Sequence, residues 1–118
     1  MVTGPDCFRM IKVDDNFAGA TITHSSIDTS KNEFEVEALP GIGSTISTNY
    51  TCHCWSIDSC IPIICTDMGD ILLLDFKGEF KNYLPESPRG YQLDCILPFG
   101  RGLIVAGDRG LIWTYEMN

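Results

Sequence analysis

The stretch in which residue type and spacing could do chemistry is Cys52-His53-Cys54, followed by Cys60 and Cys65. Thiolate and imidazole are ordinary zinc ligands, but the common structural sites are built from C-x2-C pairs, which this spacing does not supply. A Cys–His nucleophilic pair would need the two side chains within hydrogen-bond reach. Neighbouring residues on a strand point to opposite faces, so His53 cannot activate Cys52 or Cys54. Cys52 and Cys54 would share one face, and His53 and Trp55 the other. The six cysteines (Cys7, Cys52, Cys54, Cys60, Cys65 and Cys95) are therefore expected as reduced thiols acting as small core side chains. His53 is expected as a structural histidine. His24, in the polar, β-like Thr21-Ile22-Thr23-His24-Ser25-Ser26, is expected at the surface. Gly41-Ile42-Gly43-Ser44 has only G-x-G, without the Gly-Lys-Ser/Thr of a phosphate loop. Asp14-Asp15 reads as a solvated turn. No catalytic residue, metal or cofactor is expected.

Charge narrows the partners. Eight basic residues stand against 16 acidic ones, a net charge of −8. Nucleic-acid affinity rests on Lys and Arg neutralising phosphates, and anionic membrane surfaces make the same demand. Neither is an expected partner. Hydrophobic residues make up 44% of the 118, enough for a packed core. No apolar run approaches the roughly 18–20 residues of a membrane helix. The opening Met1-Val2-Thr3-Gly4-Pro5-Asp6 has no basic or apolar region of a secretory signal. An extracellular disulfide domain and glycosylation at the sequon Asn49-Tyr50-Thr51 are accordingly disfavoured.

The elements that must position these residues are strands. Apolar residues come in runs of four to seven, broken by Gly, Pro, Asp and Asn, with no amphipathic helix. Residues 50–56, 61–66, 71–76 and 79–84 read as four strands of a meander. The intervening turns fall at Ser56-Ile57-Asp58-Ser59, Asp67-Met68-Gly69 and Lys77-Gly78. Residues 91–98, 103–106 and 111–116 read as three more strands, one short of a second meander. Before them, Val2-Thr3-Gly4 and residues 7–13 resemble the second and third strands of an earlier copy. The path of residues 14–48 is open: Phe34-Glu35-Val36-Glu37-Ala38-Leu39 fits an outer strand or an inserted hairpin.

Two segments repeat. Asp67-Met68-Gly69-Asp70-Ile71-Leu72-Leu73-Leu74-Asp75 and Asp108-Arg109-Gly110-Leu111-Ile112-Trp113-Thr114-Tyr115-Glu116 lie 41 residues apart. Both read D-x-G-x-I, two residues, a large apolar residue and an acid. Turn-plus-strand similarity at this period marks a β-propeller blade. The expected fold is all-β, a partial propeller of about two to three four-stranded antiparallel blades whose ring this chain does not close. Its units are 1–48 (an incomplete blade with an irregular insertion), 49–84 (complete) and 85–118 (lacking the outer strand). Open blades expose apolar faces, so further blades are expected from a longer polypeptide or from other chains.

Three segments carry a family resemblance: Asn49-Tyr50-Thr51-Cys52-His53-Cys54-Trp55, Thr66-Asp67-Met68-Gly69-Asp70-Ile71-Leu72 and Gly102-Leu103-Ile104-Val105-Ala106-Gly107-Asp108. They resemble the propeller of the large axonemal WD-repeat proteins of the cilia- and flagella-associated group. The resemblance covers about residues 49–116 and extends more weakly to residues 7–13. It implies a non-catalytic scaffold in the axoneme of cilia and flagella, with inner-arm dynein or doublet-microtubule-associated proteins as partners. The usual Gly-His and Trp-Asp dipeptides are missing. Leu74-Asp75 and Tyr115-Glu116 take the Trp-Asp places, a departure that bears on the family's structural His–Asp hydrogen-bond network.

In a meander, the turns after the second and fourth strands lie at the same end. Met68, Arg109 and the connector of residues 85–90 should therefore share a rim, where loops on a rigid scaffold do the recognising. Met68, Glu86, Arg89 and Arg109 are the expected contact residues, with Pro85 and Pro88 stiffening the connector. A self-contained β-domain holding a small ligand or metal through its cysteine-rich strands is the alternative.

Overall fold

The computed structural model describes residues 1–13, 19–27, 49–57, 61–75, 77–84 and 86–116. Asp14-Asp15, the 34–39 and 41–44 stretches, Cys60, Phe76 and Pro85 lie outside the described residues. The described residues form three antiparallel sheets and no α-helix. The first contains β1 (Val2–Gly4), β2 (Cys7–Val13) and β3 (Ala20–His24) in that order. The second is a meander of β4 (Tyr50–Trp55), β5 (Pro62–Thr66), β6 (Ile71–Leu74) and β7 (Phe80–Tyr83). The third contains β8 (Leu93–Phe99), β9 (Gly102–Gly107) and β10 (Ile112–Glu116), with β9 central. This is a partial, propeller-like all-β fold. One sheet has four strands and the other two have three among the described residues, fewer than a full four in each.

The second sheet explains the stacking. Strand β5 is buried along its whole length, and β6 nearly so. A strand apolar on both faces must be covered on both. Phe8, Met10, Tyr50, Ile64, Leu72, Leu74, Phe80 and Tyr83 cluster toward the first sheet. Ile63, Cys65, Ile71, Leu93, Leu103 and Val105 cluster toward the third. Alternation along β5 thus sends Ile64 one way and Ile63 and Cys65 the other. At the junctions, β1 packs on β4, and β8 packs on β4 and β5.

The 41-residue repeat has a backbone counterpart. Ile63, Ile64 and Cys65 pair with Leu73, Leu72 and Ile71. Ile104, Val105 and Ala106 pair with Thr114, Trp113 and Ile112, the same register displaced by 41. Thr66 N–H donates to Asp70 O at 3.0 Å, and Gly107 N–H donates to Leu111 O at 3.1 Å. Strands β4 and β8 also share an irregularity, the register slipping at Thr51 in one and at Asp94 in the other. Such bulges bend a strand and increase its twist.

Strand β3 is the element that periodicity did not delimit. It is an edge strand with Ile22 exposed, so no buried face imposes a pattern on it. Of the cysteines, Cys54 and Cys65 are buried as expected, Cys7 and Cys52 are half-buried, and Cys95 is exposed. Cys95 is therefore not a core residue, because it lies on the uncovered side of the third sheet.

Candidate functional site

The rim forms because each D-x-G turn is tied to the residue that precedes its sheet. Asp67 N–H donates to Asn49 O at 3.1 Å, and Asn49 Nδ2 donates to Asp67 Oδ2 at 3.0 Å. In the third sheet Asp108 N–H donates to Gln92 O at 3.0 Å, and Gln92 N–H returns a bond to Asp108 Oδ1 at 3.1 Å. The two aspartates thus clamp equivalent turns to equivalent strand entries. Each clamp joins groups 16 or 18 positions apart. A polar amide residue just before the first strand of each unit was the signal available in the sequence.

One residue, Gly90, then joins both turns through its own N–H and C=O. Gly90 N–H donates to Met68 O at 2.9 Å, and Gly90 O accepts from Arg109 Nη2 at 2.9 Å. The Arg109 guanidinium lies 4.2 Å from the Tyr91 ring centroid, a cation–π contact that holds the long side chain flat. Met68 is 40% exposed, and Glu86 and Arg109 are exposed. Of the four expected contact residues, Met68 and Arg109 are brought together through Gly90, and Glu86 is carried at the surface of the same connector.

Arg89 is placed differently. Its side chain is only 13% exposed, lies 5.5 Å from the Tyr83 ring centroid, and has Nε 3.8 Å from Asp70 Oδ1. Asp70 is 1% exposed. Its Oδ2 accepts from Thr66 Oγ1 at 3.3 Å, while Thr66 Oγ1 accepts from Asp70 N–H at 3.1 Å and Met68 N–H at 3.3 Å. A buried carboxylate needs such partners, since a charge without compensation in the interior is costly. Arg89 therefore anchors the connector from beneath, and Tyr91 completes the exposed surface in its place.

His53 sits at the junction of the first two sheets, with Nδ1 2.8 Å from Thr3 Oγ1. Burial holds its pKa below the ordinary 6.5, and the positive amino terminus adds to this. The unfolded chain then binds the proton more readily than the folded one, so acid favours unfolding. Stability from this residue should be complete above pH 6.5 and be lost as pH falls below it through the lower folded value. Melting followed from pH 7.5 down to about 5 should show this loss, and His53→Gln should flatten that part of the profile. An unchanged profile in the variant would assign the acid sensitivity elsewhere.

The ligand-binding alternative requires a metal cluster or a cavity at the cysteine-rich strands. Among the described residues no group of three or more His, Cys, Asp or Glu side chains could hold a metal ion. An apolar groove between the second and third sheets, lined by Ile61, Ile63, Leu73, Leu84, Leu103 and Tyr115 among others, measures about 120 Å³. Small-molecule sites start near 300 Å³, a size met by an open cleft of about 370 Å³ lined by Thr3, Asn49, Tyr50, Asp67, Gln92 and Asp94 among others. No cysteine lines either cavity.

Comparison with known proteins gives one similarity. Over 74 residues, 61% of its length, the chain is 40% identical to cilia- and flagella-associated protein 57 A of Tetrahymena thermophila. The chain is similar to part of a cilia- and flagella-associated protein. It spans 6% of the length of that relative. No family model matches the chain, and no solved structure matches it. The cilia- and flagella-associated part of the resemblance drawn from the three segments thus has independent support.

Proposed function

We propose that this chain is a non-catalytic, WD-repeat-like platform for protein–protein contact in a ciliary or flagellar assembly. The observation that carries the reading is Gly90, whose backbone N–H and C=O tie the Met68 turn and the Arg109 turn into one surface. The Met68 turn stands on the buried strands β5 and β6, and the Arg109 side chain is held by Gly90 O and the Tyr91 ring, so both side chains are presented with little freedom to lose on binding. Met68, Glu86, Arg109 and Tyr91 make up the contact set: a flexible thioether, a charge of each sign and an aromatic ring. Methionine, arginine and tyrosine are the types enriched at protein interfaces. The partners to seek first are inner-arm dynein and doublet-microtubule-associated proteins of the axoneme. Further sheets, from the same polypeptide or another, complete the propeller.

The test is capture by the full-length protein that carries this chain, tagged and expressed in a ciliated cell. Wild type should reach the cilium and co-isolate with tubulin or dynein chains. The double substitution Met68→Glu, Arg109→Glu should reduce recovery by roughly tenfold, the scale of a lost interface hot spot. Its melting temperature should fall only modestly, because the exposed Arg109–Gly90 hydrogen bond it removes is worth about 0.5–1.5 kcal/mol. Exclusion from the cilium, or recovery unaffected by the double substitution, would refute the reading.

A further inference from the structure

Cys52 and Cys65 stand directly opposite each other on β4 and β5. Opposed residues of an antiparallel pair have Cα atoms about 4.5–5.5 Å apart, inside the roughly 4.4–6.8 Å range that a disulfide spans. The slip in register at Thr51 falls immediately beside this pair, giving β4 local freedom that a regular ladder lacks. The two thiols also differ in access: Cys52 is half-buried and Cys65 is fully buried. We propose that they form a peroxide-reactive dithiol site, in which Cys52 is attacked first and Cys65 resolves it to a reversible cross-strand disulfide.

The chemistry balances with hydrogen peroxide as the oxidant. The Cys52 sulfur attacks one peroxide oxygen, the O–O bond breaks, and the departing hydroxide takes up a proton to leave as water. Cys52 is then a sulfenic acid. The Cys65 sulfur attacks it, the S–O bond breaks, and the hydroxyl leaves with the Cys65 proton as a second water. Two thiols have lost two electrons and the peroxide has gained them. A dithiol reductant reverses the step by thiol–disulfide exchange.

The surroundings support the division of roles. Cys52 Sγ accepts a bond from Cys65, which draws its pKa down, assisted by Thr51 Oγ1 at 4.0 Å and opposed by burial and by Asp94. Cys65 is pushed well above the ordinary value by that bond and by burial, so it suits the second step rather than the first. The other described cysteines lack one requirement each. Cys54 faces Ile63 and is pushed up to about 11 by burial and by Cys52. Cys95 holds the place of Cys52 in the third sheet but faces Ala106. Cys7 faces Gly4. The reduced Cys52 thiol also donates to Leu93 O of β8 at 3.9 Å, a link to the third sheet that oxidation removes.

Folded protein treated with one equivalent of hydrogen peroxide should lose about two daltons, and peptide mapping should recover the Cys52–Cys65 linkage, absent again after a dithiol. Cys65→Ser should halt the reaction at the Cys52 sulfenic acid, which dimedone traps. Labelling at Cys52 should run roughly tenfold faster than at the more exposed Cys95. A bridge between any other pair, or Cys95 reacting before Cys52, would overturn the proposal. Wild-type mapping decides the matter even where Cys65→Ser does not fold.

Discussion

Gly69→Ala should lower stability by about 2–4 kcal/mol and detach the connector from the rim. Gly69 has φ +88, a left-handed conformation that costs a side chain of the order of 1 kcal/mol or more. A Cβ there would also overlap Pro88 O and lie 2.8 Å from Arg89 Cα. Both obstacles are backbone, so neither can swing aside as a side chain would. The connector must retreat, which breaks the Gly90–Met68 bond and separates Arg89 from Asp70. Gly90→Ala provides the comparison. Gly90 has φ +90 but nothing within 4 Å of an added Cβ, so it suffers the backbone strain alone. Denaturant melts of the two variants should differ by roughly 1–2 kcal/mol, with Gly69→Ala the less stable. Equal losses would mean that the turn and the connector are not in contact. Weakened partner capture by Gly69→Ala, at a temperature where the sheets stay folded, would further tie the rim's shape to its use.

Leu93→Ala should be the other severe substitution. Leu93 is fully buried where β8 meets the second sheet, in the cluster with Ile63, Cys65, Ile71, Leu103 and Val105. Removing a buried leucine side chain costs about 2–5 kcal/mol, the larger values where the walls cannot close in. Those walls are strands held by ladders on both sides, so the upper half of the range applies. Because the cluster joins two sheets, the loss should also make their unfolding less concerted. Trp55 lies in β4 of the second sheet and Trp113 in β10 of the third, so each can report on one sheet. In Leu93→Ala, fluorescence of the Trp113-only form should change at lower urea than that of the Trp55-only form. Leu97→Ala is the informative contrast, since Leu97 is 60% exposed on the same strand. It should cost within about 0.5 kcal/mol in this chain alone. A much larger cost in the full-length protein would mean that another sheet covers this side, as the third sheet covers the second. The repeat points the same way: Ile112 is 74% exposed, whereas its counterpart Ile71 is fully buried.

Short-range features of this molecule were legible in the sequence alone. The strands from β4 to β10, the four-stranded meander and the shared D-x-G turns follow from alternating apolar runs and from glycines at turn positions. Those signals act within a few residues, through ladder hydrogen bonds and permitted φ values, so they are written locally. The meeting of Met68 and Arg109 on one rim was also legible, because it follows from meander geometry. Tertiary structure alone decided which side chains the rim exposes. Arg89 looks like any solvated loop arginine until folding brings Asp70 and Tyr83, 19 and 6 positions away, beneath it. Strand β3 escaped definition because an exposed edge strand needs no apolar alternation, only the backbone of β2 beside it. The pairing of Cys52 with Cys65, and the lack of any such partner for Cys95, depended on strand register. A slip of one residue reverses every side chain in a strand, and that register is settled by packing among three sheets rather than by any one segment.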